Sequence, residues 1–252
     1  MTKSNFVLRV IATLFILCGT TAYAQQVPNA GFEDWNGEKF DGQIQPKDWY
    51  GSNISQMGIN FNLTNQEAGH TGKYSLMVKD TEVGALGITE LSPGYFSLGR
   101  PWSYIKDLNT NTATAGTSGG IKFTHRPDTM SVWIKRTGPN VTAEDFYLLY
   151  YAWSGTAKAD SYKNKSNGCS SAPQINEESD IRQALDANEC GTTQLANQIA
   201  EGMWREKKEY GQWTNIRVPI YYFSNDIPTM MNIIFSASNY PNYRANSGLY
   251  EG

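Results

Sequence analysis

Aromatic side chains at alternate positions, interleaved with amides and cations, are the residues in this chain best suited to chemistry. In "TMSVWIKR" Trp133 shares a side with Ser131 and Lys135, and in "WTNIRVPIYY" Asn215, Arg217 and Tyr221 share one. "FYLLYYAW" sets Tyr147, Tyr151 and Trp153 along one side, and "MNIIFSAS" adds Asn232. A flat ring can lie against the apolar C–H face of a sugar while amides and cations take its hydroxyls. If these positions fall on one sheet, the five aromatics with Lys135, Arg217, Asn215 and Asn232 form a glycan-binding surface, led by Trp133 and Trp153. The competing reading puts the same rings in the core, because a one-residue slip at a bulge inverts every face. "RPWSY" presents Trp102 and Tyr104 from a loop tip, or buries Trp102 as a plug over the sheets.

Catalytic signals are sparse. The sequence has no Gly-x-Ser-x-Gly elbow, no His-Glu-x-x-His, no Cys-x-x-Cys and no dinucleotide fingerprint. His70 stands between Gly69 and Gly72, and His125 inside "THRPD"; neither has an evident nucleophile nearby. "HRPD" reads as the start of a strand, with Arg126 and Asp128 as a local pair. A glycosidase needs two carboxylates about 5–9.5 Å apart. Glu33, Asp34, Asp41, Glu90 and Glu144 are all free for that role, and nothing singles one out. The residues favour binding over catalysis.

The elements that must position these groups read as strands. Short alternating runs separated by Gly, Asn, Asp and Pro clusters point to an all-β sandwich or barrel. Tyr74, Leu76 and Val78 of "KYSLMVKD" form one apolar face, as do Met130, Val132 and Ile134 of "TMSVWIKR". Phe146, Leu148 and Tyr150, then Ile216, Val218 and Ile220, then Ile233 and Phe235 continue the pattern. A polar insertion from about Gly155 to Glu201 breaks it. "NEESDIRQALDAN" carries helical spacing, with Asn176 as cap, acids in the first turn and Ile181 meeting Leu185. A second short helix is expected around Leu195 to Ile199.

The first 24 residues combine Lys3 and Arg9, the apolar run "VIATLFILC" and the triplet Ala22-Tyr23-Ala24. This is the anatomy of a cleaved signal peptide; the bulky "LFIL" before Cys18 argues against lipidation there. No run approaches the roughly 18 apolar residues of a membrane helix. The expectation is an exported protein, in the periplasm, on the cell surface or secreted, with one domain over residues 25–252. Its formal charge is −3, and more negative still once Lys3 and Arg9 are removed, so nothing suggests a nucleic-acid partner. Cleavage leaves Cys169 and Cys190 as an even pair in an oxidising compartment. They form either a disulfide stapling the insertion, worth about 3 kcal/mol, or two buried free thiols. The ending "NSGLYEG" lacks a final alternating run, so a last strand is expected to be missing.

The motifs also occur in a suggestive order. "NAGFEDW", "PKDW", "GHTGKYSLMV", "GIKFTHRPDTMSVWIKR", "WTNIRVPIYY" and "MNIIFSASN" together resemble the PCMD family, the carbohydrate-metabolism domain of exported Bacteroidetes proteins. "NAGFEDW" and "GKYSL" also look like jelly-roll carbohydrate-binding modules with the galactose-binding-like fold. The resemblance implies an antiparallel β-sandwich of that kind, here with a small helical, disulfide-bearing insertion and a polysaccharide or other glycan as partner. It implies that "NAGFEDW" is the first strand, with Phe32 and Trp35 in the core. In related jelly rolls the acid of this element helps hold a structural calcium, so Glu33 is either a metal ligand or an ordinary polar contact. A hard cation wants more oxygens than Glu33 and one or two carbonyls supply. Three functions remain: a non-catalytic glycan-binding module as the leading expectation, a glycoside-active enzyme, and a structural or adhesion component of the envelope.

Overall fold

The structure is a computed structural model of the 252-residue chain. It describes residues 27–35, 39–40, 43–56, 59–85, 88–107, 112–118, 120–138, 145–155 and 196–238. Among them every regular element is a strand and every pairing is antiparallel, so the described part of the chain is all-β. The first strands are β1 (Lys39–Phe40), β2 (Gln43–Ile44), β3 (Tyr50–Gly51), β4 (Ile54–Gln56), β5 (Ile59–Phe61), β6 (Thr64–Ala68) and β7 (Tyr74–Val78). Then come β8 (Thr81–Ala85), β9 (Ile88–Ser92), β10 (Tyr95–Ser97), β11 (Arg100–Asp107), β12 (Thr112–Ser118) and β13 (Ile121–Lys122). The longest follow: β14 (Thr129–Arg136), β15 (Phe146–Gly155), β16 (Ala196–Glu206) and β17 (Tyr210–Pro219), then β18 (Tyr221–Tyr222) and β19 (Met230–Ser236).

A seven-stranded sheet runs β18-β16-β15-β19-β10-β3, with β13 pairing the far end of β19. β14 and β17 form a separate two-stranded ladder in which Val132 faces Ile216 and Trp133 faces Asn215. One buried cluster joins Leu148, Tyr150 and Ala152 of β15 and Ile233 and Phe235 of β19 to Ile134, Ile216 and Val218 of the ladder. Burying a side chain such as Leu148 completely is worth roughly 1.5–3 kcal/mol, so this cluster is what holds the ladder against the large sheet.

The other face of the large sheet is buried as well. Tyr147, Leu149, Tyr151, Trp153 and Ile234 form a second cluster. β15 and β19 therefore have no wet side, and the expectation of one apolar face per strand fails for them. The alternation itself is as expected; what differs is that the second face is covered too. The uninterrupted run "FYLLYYAW" is the composition such a strand needs, since both of its sides are dry.

Two further expectations are corrected. Of the helix expected around Leu195 to Ile199, the described residues from Ala196 are strand β16, and Ile199 is buried in the main cluster. "NAGFEDW" is not a strand but a turn, closed by the Phe32 amide donating to the Asn29 carbonyl at 2.9 Å. Asn29 and Phe32 have φ of 46° and 54°, a region that costs a bulky residue and that asparagine tolerates better. Asn29 holds the turn: its Oδ1 accepts the Asp34 amide, and its Nδ2 donates to the carbonyls of Asp34 and Lys47. Phe32 packs at 5.2 Å from Trp49 and 5.5 Å from Phe96, at the margin of the core, while half-buried Trp35 donates to the Phe32 carbonyl. The signal segment, the first helix, Cys169, Cys190 and the ending from residue 239 lie outside the described residues.

Candidate functional site

The outward face of the β14–β17 ladder carries the strongest constellation. Inward, Val132, Ile134, Ile216 and Val218 pack on the core; outward, Ser131, Trp133 and Lys135 alternate along β14, and Trp213, Asn215 and Arg217 along β17. Asn215 Nδ2 donates to Ser131 Oγ at 2.9 Å, tying the two strands across the face. Trp133 is 49 % exposed.

A third segment completes it. The turn from Gly69 to Lys73, between β6 and β7, sets the His70 ring on Trp133 at a centroid distance of 4.2 Å and an angle of 21°, a stacked pair. The same imidazole sits 5.7 Å from Trp213. His70 covers part of the Trp133 ring, and what remains exposed borders Asn215, Ser131 and the two outward cations.

This turn is held by the N-terminal segment. The Glu33 carboxylate accepts the backbone N–H groups of Lys73 and Tyr74, each at 3.1 Å, and the Gly69 amide donates to the Lys73 carbonyl. A Cβ on Gly72 would stand 1.9 Å from Glu33 Oε1, so glycine there lets the carboxylate approach. The neighbouring Tyr74 hydroxyl, and to a smaller degree Glu33, hold the Lys73 ammonium above its usual range.

The same contacts bear on calcium. Both Glu33 oxygens are already met by amide hydrogens, positive ends of dipoles that repel a cation on that side. No group of three or more His, Cys, Asp or Glu that could hold a metal occurs among the described residues. Among the described residues the donors around Glu33 do not make up a calcium shell, and Glu33 is a polar contact between two segments.

The remaining candidates separate. Tyr151 and Trp153 are buried to within 2 % on the second face of the large sheet, together with Tyr147, so they do not share a surface with Trp133. Asn232 is fully buried, its Oδ1 accepting the Gly99 amide at 2.9 Å. Arg217 is exposed on the ladder face, as the alternation predicts. Trp102 lies within β11, opposite Gly116, rather than on a loop tip. Arg126 does not pair with Asp128: its guanidinium donates to the carbonyls of Ser224 and Asp226 and lies 3.9 Å from the Tyr222 ring.

Tyr221 belongs to another place, at the rim of the large sheet. Glu201, Met203 and Arg205 project from one side of β16, and with Trp204, Tyr221 and Phe223 they line an open groove of about 520 Å³. The sequence reading missed His70, Trp213 and this groove. Glycines flanking His70 mark a tight turn, and Glu201, Met203 and Arg205 alternate at the end of the polar insertion and just beyond it, where no apolar face draws attention to them.

No family model matches the chain, the PCMD family included, and no curated protein matches it. A crystal structure described as a "putative glycoside hydrolase" from Bacteroides thetaiotaomicron is similar over 80 % of this chain and 59 % of its own, at 13 % identity and a TM-score of 0.44. The chain thus spans about three fifths of that protein's length, and a likeness this low carries no argument about fold or activity.

Proposed function

We propose that this chain is an exported, non-catalytic glycan-binding module built as a jelly-roll sandwich of the galactose-binding-like kind, in keeping with its resemblance to the PCMD family. The observation that carries the function is the half-exposed Trp133, backed by His70 and bordered by Ser131, Asn215 and Arg217. An indole whose surface is half in water, beside amide and guanidinium donors, is the combination a pyranose ring needs: a flat apolar support and fixed partners for its hydroxyls. The buried cluster shared by the large sheet and the ladder supports the sandwich reading. The N-terminal signal pattern of the sequence supports export.

A glycosidase needs a facing pair of carboxylates. The groove at the sheet rim contributes one, Glu201, among the described residues.

The test is a panel of polysaccharides and mucin glycans, with binding and reducing-sugar release both measured on the wild type and on Trp133→Ala. Binding weakened about tenfold or more by the substitution is expected. Release of sugar would transfer the protein to the enzyme class, and a wild type silent in both assays would favour the envelope component.

A further inference from the structure

The groove beside β18 has no part in the face just described. Its floor is one side of β16, where Glu201, Met203 and Arg205 succeed one another at alternate positions, and its wall is Tyr221 and Phe223. These two rings are 66 % and 64 % exposed, and Met203 is 45 % exposed. Two neighbouring aromatics this open to water, in a groove of about 520 Å³, fall within the size range of small-ligand sites.

The charges narrow the ligand. Glu201 accepts a hydrogen bond from Gln198 Nε2 at 3.0 Å, and no cation pairs with it among the described residues. Arg205 likewise has no acid partner among them. The two groups stand four residues apart on one strand, roughly 13 Å along the chain, so they are spread along the groove with the thioether between them. A fork of guanidinium N–H groups suits a carboxylate, and an ionised carboxylate such as Glu201 only accepts, which suits hydroxyl donors. The exposed rings suit the C–H faces between.

A strand added at this edge fits less well. β18 is two residues long, Pro219 precedes it, and Arg126 occupies the carbonyls of Ser224 and Asp226 just after it. The rim is capped where a peptide would have to pair.

We infer that this groove is a second carbohydrate subsite, one that takes an acidic oligosaccharide, with a sugar carboxylate on Arg205, hydroxyls on Glu201 and ring faces on Tyr221 and Phe223. The inference takes its ligand class from the glycan-binding reading above, but it concerns a different sheet and different residues. A chain carrying both sites would engage one polymer at two points, and its apparent affinity would exceed that of either site wherever the spacing matches.

The experiment titrates the full mature chain with oligogalacturonate and with the same oligosaccharide methyl-esterified, reading tryptophan fluorescence, to which Trp204 in the groove contributes. Wild type is compared with Tyr221→Ala, Phe223→Ala, Arg205→Gln and, separately, Trp133→Ala. Expected is about a tenfold loss in each ring variant, with Arg205→Gln weakening the acidic form and leaving the ester nearly unchanged. Because both rings are mostly in solvent, their truncation should leave the melting temperature in place, and Arg205→Gln serves as the independent check. Unchanged binding in all three groove variants overturns the inference; if Trp133→Ala alone then abolishes binding, the ladder face stands without the groove. Loss confined to the groove variants supports the groove and removes the ladder face instead. Groove-dependent capture of an extended peptide, with no saccharide effect, also overturns it.

Discussion

Gly72 and Glu33 are expected to be strongly coupled, although they lie 39 positions apart in the sequence. The Glu33 carboxylate accepts two backbone N–H groups at 3.1 Å. Each bond is exposed, so water replaces it when lost, and a net value of about 0.5–1.5 kcal/mol per bond applies. Glu33→Ala should therefore cost about 1–3 kcal/mol. Gly72→Ala should cost a similar amount for a different reason. Its new Cβ would stand 1.9 Å from Glu33 Oε1, and clearing it pushes the carboxylate about 1 Å or more off both amides, beyond hydrogen-bond range. With Glu33 already alanine that obstacle is gone, and Gly72→Ala should be neutral or slightly stabilising through the unfolded chain. The double variant should thus match Glu33→Ala alone, with a coupling of about 1–3 kcal/mol. Urea unfolding of the four proteins measures it, and thermal melts should show about 2–4 °C per kcal/mol. Additive costs, or no cost for Gly72→Ala in the wild type, would refute the assignment of Glu33 as the tie that holds the turn.

Further outcomes follow from other contacts. The Tyr150 hydroxyl is buried with no hydrogen-bond partner among the described residues, so Tyr150→Phe should leave stability unchanged or raise it by about 1 kcal/mol; a clear loss in urea unfolding would contradict this. Burial, then the hydrogen bond to Glu206, pushes the Tyr210 hydroxyl up to about 12 from 10, and burial raises Tyr150 and Tyr222 as well. These tyrosines stay neutral in the folded chain where the unfolded chain ionises, so their contribution is intact below pH 10 and declines as pH rises from about 10 towards 12. Melting temperature and tyrosinate absorbance followed together through that range should show it, and a melting temperature flat across it would count against it. Chelation should not shift the melting temperature; a calcium-dependent rise that Glu33→Gln abolishes would reinstate the metal.

How far the sequence led depended on what lay beyond each strand. For β14 and β17, alternation sorted Ile134 and Ile216 inward and Trp133 and Arg217 outward, because only one side of that ladder is packed. For β15 and β19 the same rule assigned Tyr151, Trp153 and Asn232 to a surface that is in fact buried. Period two tells which residues share a side, but a second layer is a tertiary fact that no local pattern encodes. β16 hid for another reason. Its inward positions include Ala200 and Gly202, and a Cβ on Gly202 would crowd the Pro219 carbonyl at 3.0 Å. Small residues needed for close approach erased the apolar signal, and the groove residues on the opposite side went unread with it.

β15 has a consequence for how the chain must be handled before it folds. Both of its ladder partners, β16 and β19, are C-terminal to it, so "FYLLYYAW" is made first and waits for residues 196–206 and 230–236. An uncharged, strongly strand-forming stretch without proline is a hazard for intermolecular pairing while it waits. Glu144 and Asp145 immediately before it place two like charges at its threshold, where they discourage such stacking. Substituting those two acids should therefore show first as lost yield and inclusion, with the melting temperature of whatever protein does fold left unaltered.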